Sequence, residues 1–158
     1  MKKAGLLGLL LMLPWSVWAA DLVKVVDPWV REAPPTSTVM AAYMGLENGG
    51  QAALHLVGVT SPLFAKVEMH QTVTKDGMAM MEPVQHMEVP AGGKIALAPG
   101  GLHIMLFTPN KALKSGDKVP LVLQFAGSAP QNVEATVRAG GAAPAADHNH
   151  HQMPHHQH

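Results

Sequence analysis

"LHIMLF", residues 102–107, follows the turn "PGG" at 99–101 and reads as a β-strand with two different faces. Side chains alternate across a strand. Leu102, Ile104 and Leu106 therefore form one apolar face, sufficient for a core. His103, Met105 and Phe107 occupy the other face. That arrangement sets an imidazole and a thioether side by side, roughly 6–7 Å apart along the strand. Side chains at that spacing can converge on one ion.

The same period-two pattern extends along the chain. "LVKVV" (22–26), "VMAAYMGLE" (39–47), "LHLVGV" (54–59), "AKVEMHQT" (65–72), "MAMMEPV" (78–84), "KIALA" (94–98), "VPLVLQF" (119–125) and "NVEATVRA" (132–139) all read as strands. Turn signals separate them: "NGG" at 48–50, "KDG" at 75–77, "PAGG" at 90–93 and "SGD" at 115–117. "REAPPTST" (31–38) is a Pro-rich loop, because Pro34 and Pro35 cannot donate to a ladder. A helical turn within "NKALKSGD" is the only helical feature expected. Short strands with regular turns predict a single all-β domain, a sandwich or small barrel.

Composition bounds the function. The 158 residues contain 11 Met, 10 His and no Cys. Without Cys there is no disulfide, no thiol nucleophile, no thiolate metal site and no blue-copper centre. Lys2 and Lys3 precede the apolar run Gly5–Leu13, and "VWAA" (17–20) offers cleavage after Ala19 or Ala20. This predicts a signal peptide over 1–20 and an exported chain. The run is too short to span a bilayer, so no membrane span is expected after cleavage. Removing Lys2 and Lys3 from the 11 basic residues leaves nine against 11 acidic ones. That balance gives no basic face for nucleic acid.

Strand parity places other candidate ligands. In "AKVEMHQT", Val67 and Met69 share one face, and Glu68 and His70 share the other. His70 is thus read as an outward-facing imidazole. In "MAMMEPV", Met78 and Met80 lie opposite Ala79 and Met81, and one of the two sets is expected in the core. Met40, Met44, Met69 and Met87 are read as core filler. His55 and His86 are read as ordinary structural or surface histidines, and Glu68 and Glu82 as surface charges. After Arg138 the composition shifts to the small-residue linker "AGGAAPAAD", then to "HNHHQMPHHQH" at 148–158. Residues 140–158 are expected to be a metal-binding tail without fixed structure. Its donors are His148, His150, His151, Met153, His155, His156 and His158.

The spacing of the candidate ligands is His70, ten residues, Met81, 21 residues, His103, one residue, Met105. It resembles the H-x10-M-x21-H-x-M signature of the PCu(A)C periplasmic copper chaperones. "PWVREAPPTSTVMAAYMGLENGG", "SPLFAKVEMHQT", "MEPVQHMEVPAGG" and "LKSGDKVPLVLQF" read like the same family. The resemblance covers roughly residues 21 to 138. It implies a cupredoxin-like β domain over 21–139, with one Cu(I) held by His70, Met81, His103 and Met105. It also implies delivery to a haem-copper oxidase subunit carrying a copper site such as CuA, with a Sco-type thiol protein as co-worker.

The donor chemistry agrees with that implication. Thioether sulfur is soft and favours Cu(I), and imidazole accepts either oxidation state. The tail's imidazoles suit Cu(II) instead. The expected function is therefore a carrier and not an enzyme, in the periplasm. The alternative is a sequestering or resistance protein without a delivery partner, which the His-rich tail would suit.

Overall fold

The computed structural model describes residues 23–140, so the expected signal peptide and tail donors lie outside the described residues. Ten strands follow in chain order: β1 (Val23–Arg31), β2 (Val39–Asn48), β3 (Leu54–Thr60), β4 (Phe64–Lys75), β5 (Met78–Pro83), β6 (Met87–Val89), β7 (Lys94–Leu97), β8 (Leu102–Pro109), β9 (Lys118–Phe125) and β10 (Gln131–Arg138). They form one sheet in the order β5-β4-β8-β7-β2-β1-β10-β9-β3-β6, with β8 also paired to β2. The pairs β1–β10 and β7–β8 are parallel, and the rest are antiparallel. The sheet curls so that β3 packs beside β4. The result is the all-β domain that the strand and turn pattern predicts.

The alternation read from "LHIMLF" organises the core. Ile104 and Leu106 are fully buried, and Leu46, Leu56, Leu121 and Leu123 meet them from the other strands. Complete burial of one such side chain stabilises the fold by roughly 1.5–3 kcal/mol. Met40, Met44, Met69 and Met87 are buried, as expected of them.

Three local readings need correction. β6 was not anticipated, because three residues are too few to show a period. The "NKALKSGD" segment holds no helical turn: a turn closes it, with the Asp117 amide donating to the Lys114 carbonyl at 3.0 Å and the Lys114 amide donating to the Asp117 carboxylate at 2.9 Å. β1 does not stop at Val26. Its pairing with β2 shifts register between Val26 and Trp29, and Asp27 takes a φ of 47°. This bulge absorbs Pro28, which has no amide hydrogen for the ladder, and brings Trp29 to Tyr43.

The bulge is tied by an ion pair. Arg138 donates through both terminal nitrogens to the Asp27 carboxylate, one contact measuring 2.9 Å, and its guanidinium lies over the Trp29 ring at 5.8 Å. The hydrogen bond from Arg138 holds the Asp27 carboxyl below its ordinary range. A carboxyl lowered in the folded state adds stability above its unfolded pKa, and that stability is lost as pH falls through the folded value. Asp27→Asn is therefore expected to flatten the acid limb of the stability curve below its ordinary value of 3.8. Because the pair is half-exposed, the cost near neutrality should be under about 1 kcal/mol. Urea denaturation across pH 2.5 to 7 checks both; an unchanged acid limb would remove the pair from the stability account.

Candidate metal centre

The site begins with two registers. β4 and β8 pair so that His70 faces His103 and Glu68 faces Met105. Across an antiparallel pair, directly opposed residues share a face. All four therefore stand on the face away from Ile104 and Met69. β4 and β5 form a hairpin whose two turn residues, Asp76 and Gly77, have φ of 52° and 77°. Positive φ at both central residues is the mark of the tight two-residue hairpin turn. Lys75 then pairs with Met78, Thr72 with Met81 and His70 with Pro83. Met81 thus lies on the His70 face, diagonal to that imidazole. A one-residue slip would put Met80 there instead.

The structure brings His70, His103 and Met105 together on adjacent strands, with Met81 at the rim. The two imidazole centroids are 6.0 Å apart. His103 is buried, at 3% exposure, and His70 at 9%. His70 lies on the outer face, but it is covered and does not point out into solvent as expected. Met105 is half-buried. Met81 is 61% exposed. Its strand is exposed along its length, so neither of its methionine sets enters the core. β5 lies at the end of the sheet, paired with β4 alone among the described strands.

Each imidazole is held by one nitrogen and unpartnered at the other. The His103 Nδ1 lies 2.9 Å from the Gly101 carbonyl. A carbonyl only accepts, so Nδ1 carries the proton and Nε2 keeps its lone pair. The same carbonyl accepts the Thr72 amide at 3.1 Å, which fixes it between β4 and the ring. The His70 Nε2 lies 3.0 Å from the Glu68 carboxylate, so Nε2 carries a proton and, in the neutral ring, the lone pair sits on Nδ1. Glu68 also receives Lys66 at 2.6 Å. The hydrogen bonds from Lys66 and then His70 hold its carboxyl below the ordinary range. The lone-pair atoms, His70 Nδ1 and His103 Nε2, are buried and have no hydrogen-bond partner.

Buried polar atoms without partners are rare in folded proteins and call for an explanation. Here both belong to facing imidazoles whose other nitrogens are anchored to a carboxylate and a backbone carbonyl. That is the arrangement that orients histidine toward a metal. Among the described residues no three His, Cys, Asp or Glu side chains gather to hold an ion. A metal at this face would therefore depend on thioether donors. Thioethers beside neutral imidazoles fit a soft monovalent ion much better than a hard divalent one.

Sequence reasoning placed the His and Met residues on this face and missed their supports. Glu68 is more than a surface charge: it holds His70. Its position two residues before His70 on the same strand face was the available signal. Tyr43 also belongs to the surroundings. Its ring lies 6.5 Å from His103 and 4.7 Å from Trp29, with Arg31 over its face at 5.8 Å. Burial pushes the Tyr43 hydroxyl pKa up, and Arg31 partly offsets this.

A single cupredoxin-like sheet with this outer face defines a PCuAC-type domain. The copper-bound PCuAC domain from PmoF2 superposes with a TM-score of 0.65 over 77% of this chain and 97% of that domain, at 24% identity, a likeness of fold. The Cu(I)-bound solution structure of DR1885 from Deinococcus radiodurans matches at 32% identity with a TM-score of 0.62, over 77% of this chain and 81% of that one. The chain belongs to the LpqE-like family, described as "Putative lipoprotein LpqE-like", which matches residues 23–137. Lxx21020 of Leifsonia xyli subsp. xyli is 35% identical over 139 residues, 85% of this chain and 82% of that protein.

The anchored nitrogens fix the tautomers. In the metal-free protein, long-range proton–nitrogen NMR should find His103 protonated at Nδ1 and His70 at Nε2. The reverse assignment at His103 would mean that its lone pair faces Gly101, and the site as described would be wrong.

Proposed function

We propose that this protein is a Cu(I) carrier that binds one ion through His70, Met81, His103 and Met105. The observation that bears most weight is the pair of buried, unpartnered imidazole nitrogens on one face, flanked by thioethers. Relatedness to DR1885, whose solution structure holds Cu(I), supports the choice of metal.

The mechanism follows from where each donor sits. His70 and His103 are buried, anchored and pre-oriented, so they form the fixed base of the site. Met105 stands beside His103 on the same strand. Met81 is on the edge strand and open to solvent. It is the donor best placed to capture Cu(I) first and to let go first. All four donors are neutral, so a partner offering thiolates can withdraw the ion one ligand at a time. We place the protein in the periplasm, on the strength of the signal-like residues 1–20 and the lipoprotein description of its family. The proposed acceptor is a haem-copper oxidase subunit with a copper site such as CuA, assisted by a Sco-type thiol protein. The tail donors, outside the described residues, are proposed to take Cu(II).

Anaerobic titration with Cu(I) against a chromophoric chelator should show one tight equivalent. His103→Ala with Met105→Ala should abolish it, whereas Met81→Ala should weaken it and speed release to a thiol acceptor. Glu68→Gln should lower Cu(I) affinity roughly 10–100-fold by freeing the His70 ring. Tight binding that survives the double substitution would sink the assignment. A strain lacking the protein should lose oxidase activity at limiting copper and recover it when copper is added. Copper sensitivity with normal oxidase would favour sequestration by the His-rich tail.

A further inference from the structure

A second pair of histidines lies elsewhere on the sheet. β3 and β6 pair with Leu54 opposite Val89, His55 opposite Glu88 and Leu56 opposite Met87. Leu56, Met87 and Val89 are buried, so this face of the ribbon belongs to the core. His55 and Glu88 therefore stand on the outer face. His86 lies one residue before β6, and its ring reaches that of His55. The two rings meet edge to face, with centroids 5.5 Å apart and planes at 77°. That separation is shorter than the 6.0 Å between His70 and His103.

The His55 ring is the anomaly. It is half-buried, and its Nδ1 is buried with no hydrogen-bond partner. Only three side-chain nitrogen or oxygen atoms among the described residues are in this condition, and the other two are the free nitrogens of His70 and His103. All three are imidazole nitrogens within 6.0 Å, ring to ring, of a second imidazole. His86 is exposed.

We propose that His55 and His86 form a second metal site, for a divalent first-row cation, with Cu(II) bound most strongly. One ion at about 2.0–2.1 Å from a nitrogen of each ring fits rings this close. The donor set decides the class of ion. Met87 points into the core, so no thioether is offered on this ribbon face. Two imidazoles without a thioether suit borderline divalent ions, with Cu(II) at the head of the affinity order. No third His, Cys, Asp or Glu completes the pair among the described residues. Water fills the remaining positions, and Glu88 adds negative charge to the same face. The site is separate in donor type from the thioether face, and the inference stands whether or not that face binds Cu(I).

The test is a Zn(II) titration of the full chain, followed residue by residue through the imidazole nitrogens. Zn(II) is the probe because it is diamagnetic and leaves each ring visible. The His55 and His86 nitrogens should shift together in one step, with amide changes centred on 54–56 and 86–88. In His86→Ala, an exposed substitution that the amide spectrum can verify as folded, the His55 response should need roughly tenfold more Zn(II) or greater, because a tethered second donor is gone. The tail imidazoles should respond as before. The site is refuted if the His55 ring ignores Zn(II) while the tail saturates. It is equally refuted if His55 responds unchanged in His86→Ala.

Discussion

The pairing of β4 with β8 is the constraint on which the rest depends. It sets His70 directly opposite His103 and, on the reverse face, seats Met69 and Ile104 in the core. The two consequences cannot be separated, because a one-residue slip turns every side chain over. The apolar face therefore enforces the polar one. Burial of Ile104 and Leu106 fixes the register with far more free energy than any contact between the two imidazoles could supply. Two ring nitrogens are then left buried and unpartnered, a condition that costs free energy in the metal-free protein. The fold tolerates it because the opposite face holds the strands in place.

The supports of the two rings differ in kind. His103 leans on a backbone carbonyl that is itself tied to Thr72 across the ladder, so its position is as rigid as the sheet. His70 leans on Glu68, a side chain shared with Lys66. One anchor is structural and the other is electrostatic. The thioethers grade outward in the same sense, from half-buried Met105 to Met81 on the open edge strand. An edge strand with exposed apolar side chains is normally a liability, since it invites pairing with other chains. Here the exposed Met78, Met80 and Met81 are confined to one short strand, and the partner strand carries Lys75, paired with Glu82. In the proposed role that exposure leaves a soft ion a way in.

Much of this was legible from alternation alone. The two faces of "LHIMLF", the core methionines and the all-β class follow from period two and turn residues. Three things were not. Parity says which face a residue occupies but not what covers it: it puts His70 on the outward face, where the imidazole is nevertheless buried. Parity also presumes that a strand has a core side. β5 has none, because it ends the sheet, and its methionines stay in solvent on both faces. The carbonyl of Gly101 carries no side chain to mark it, so no residue pattern announces that it holds His103. Glu68 could have been found, since it shares a strand face with His70 at a spacing of two residues.

The unpartnered nitrogens separate donor chemistry by place on one sheet. At β4 and β8 thioethers share the face with the imidazoles, and at β3 and β6 the neighbouring Met87 is turned into the core. In both, two imidazoles meet on the side of the sheet away from the core, directly opposed across β4 and β8 at one place, and between β3 and the residue before β6 at the other. What differs is whether the methionines point in or out. Met87 lies on the core side of β6, and Met105 lies on the outer side of β8. A single step of strand parity therefore decides whether a pair of imidazoles presents itself to a soft monovalent ion or to a borderline divalent one. A β-sheet can thus carry both preferences without a single thiol among its donors.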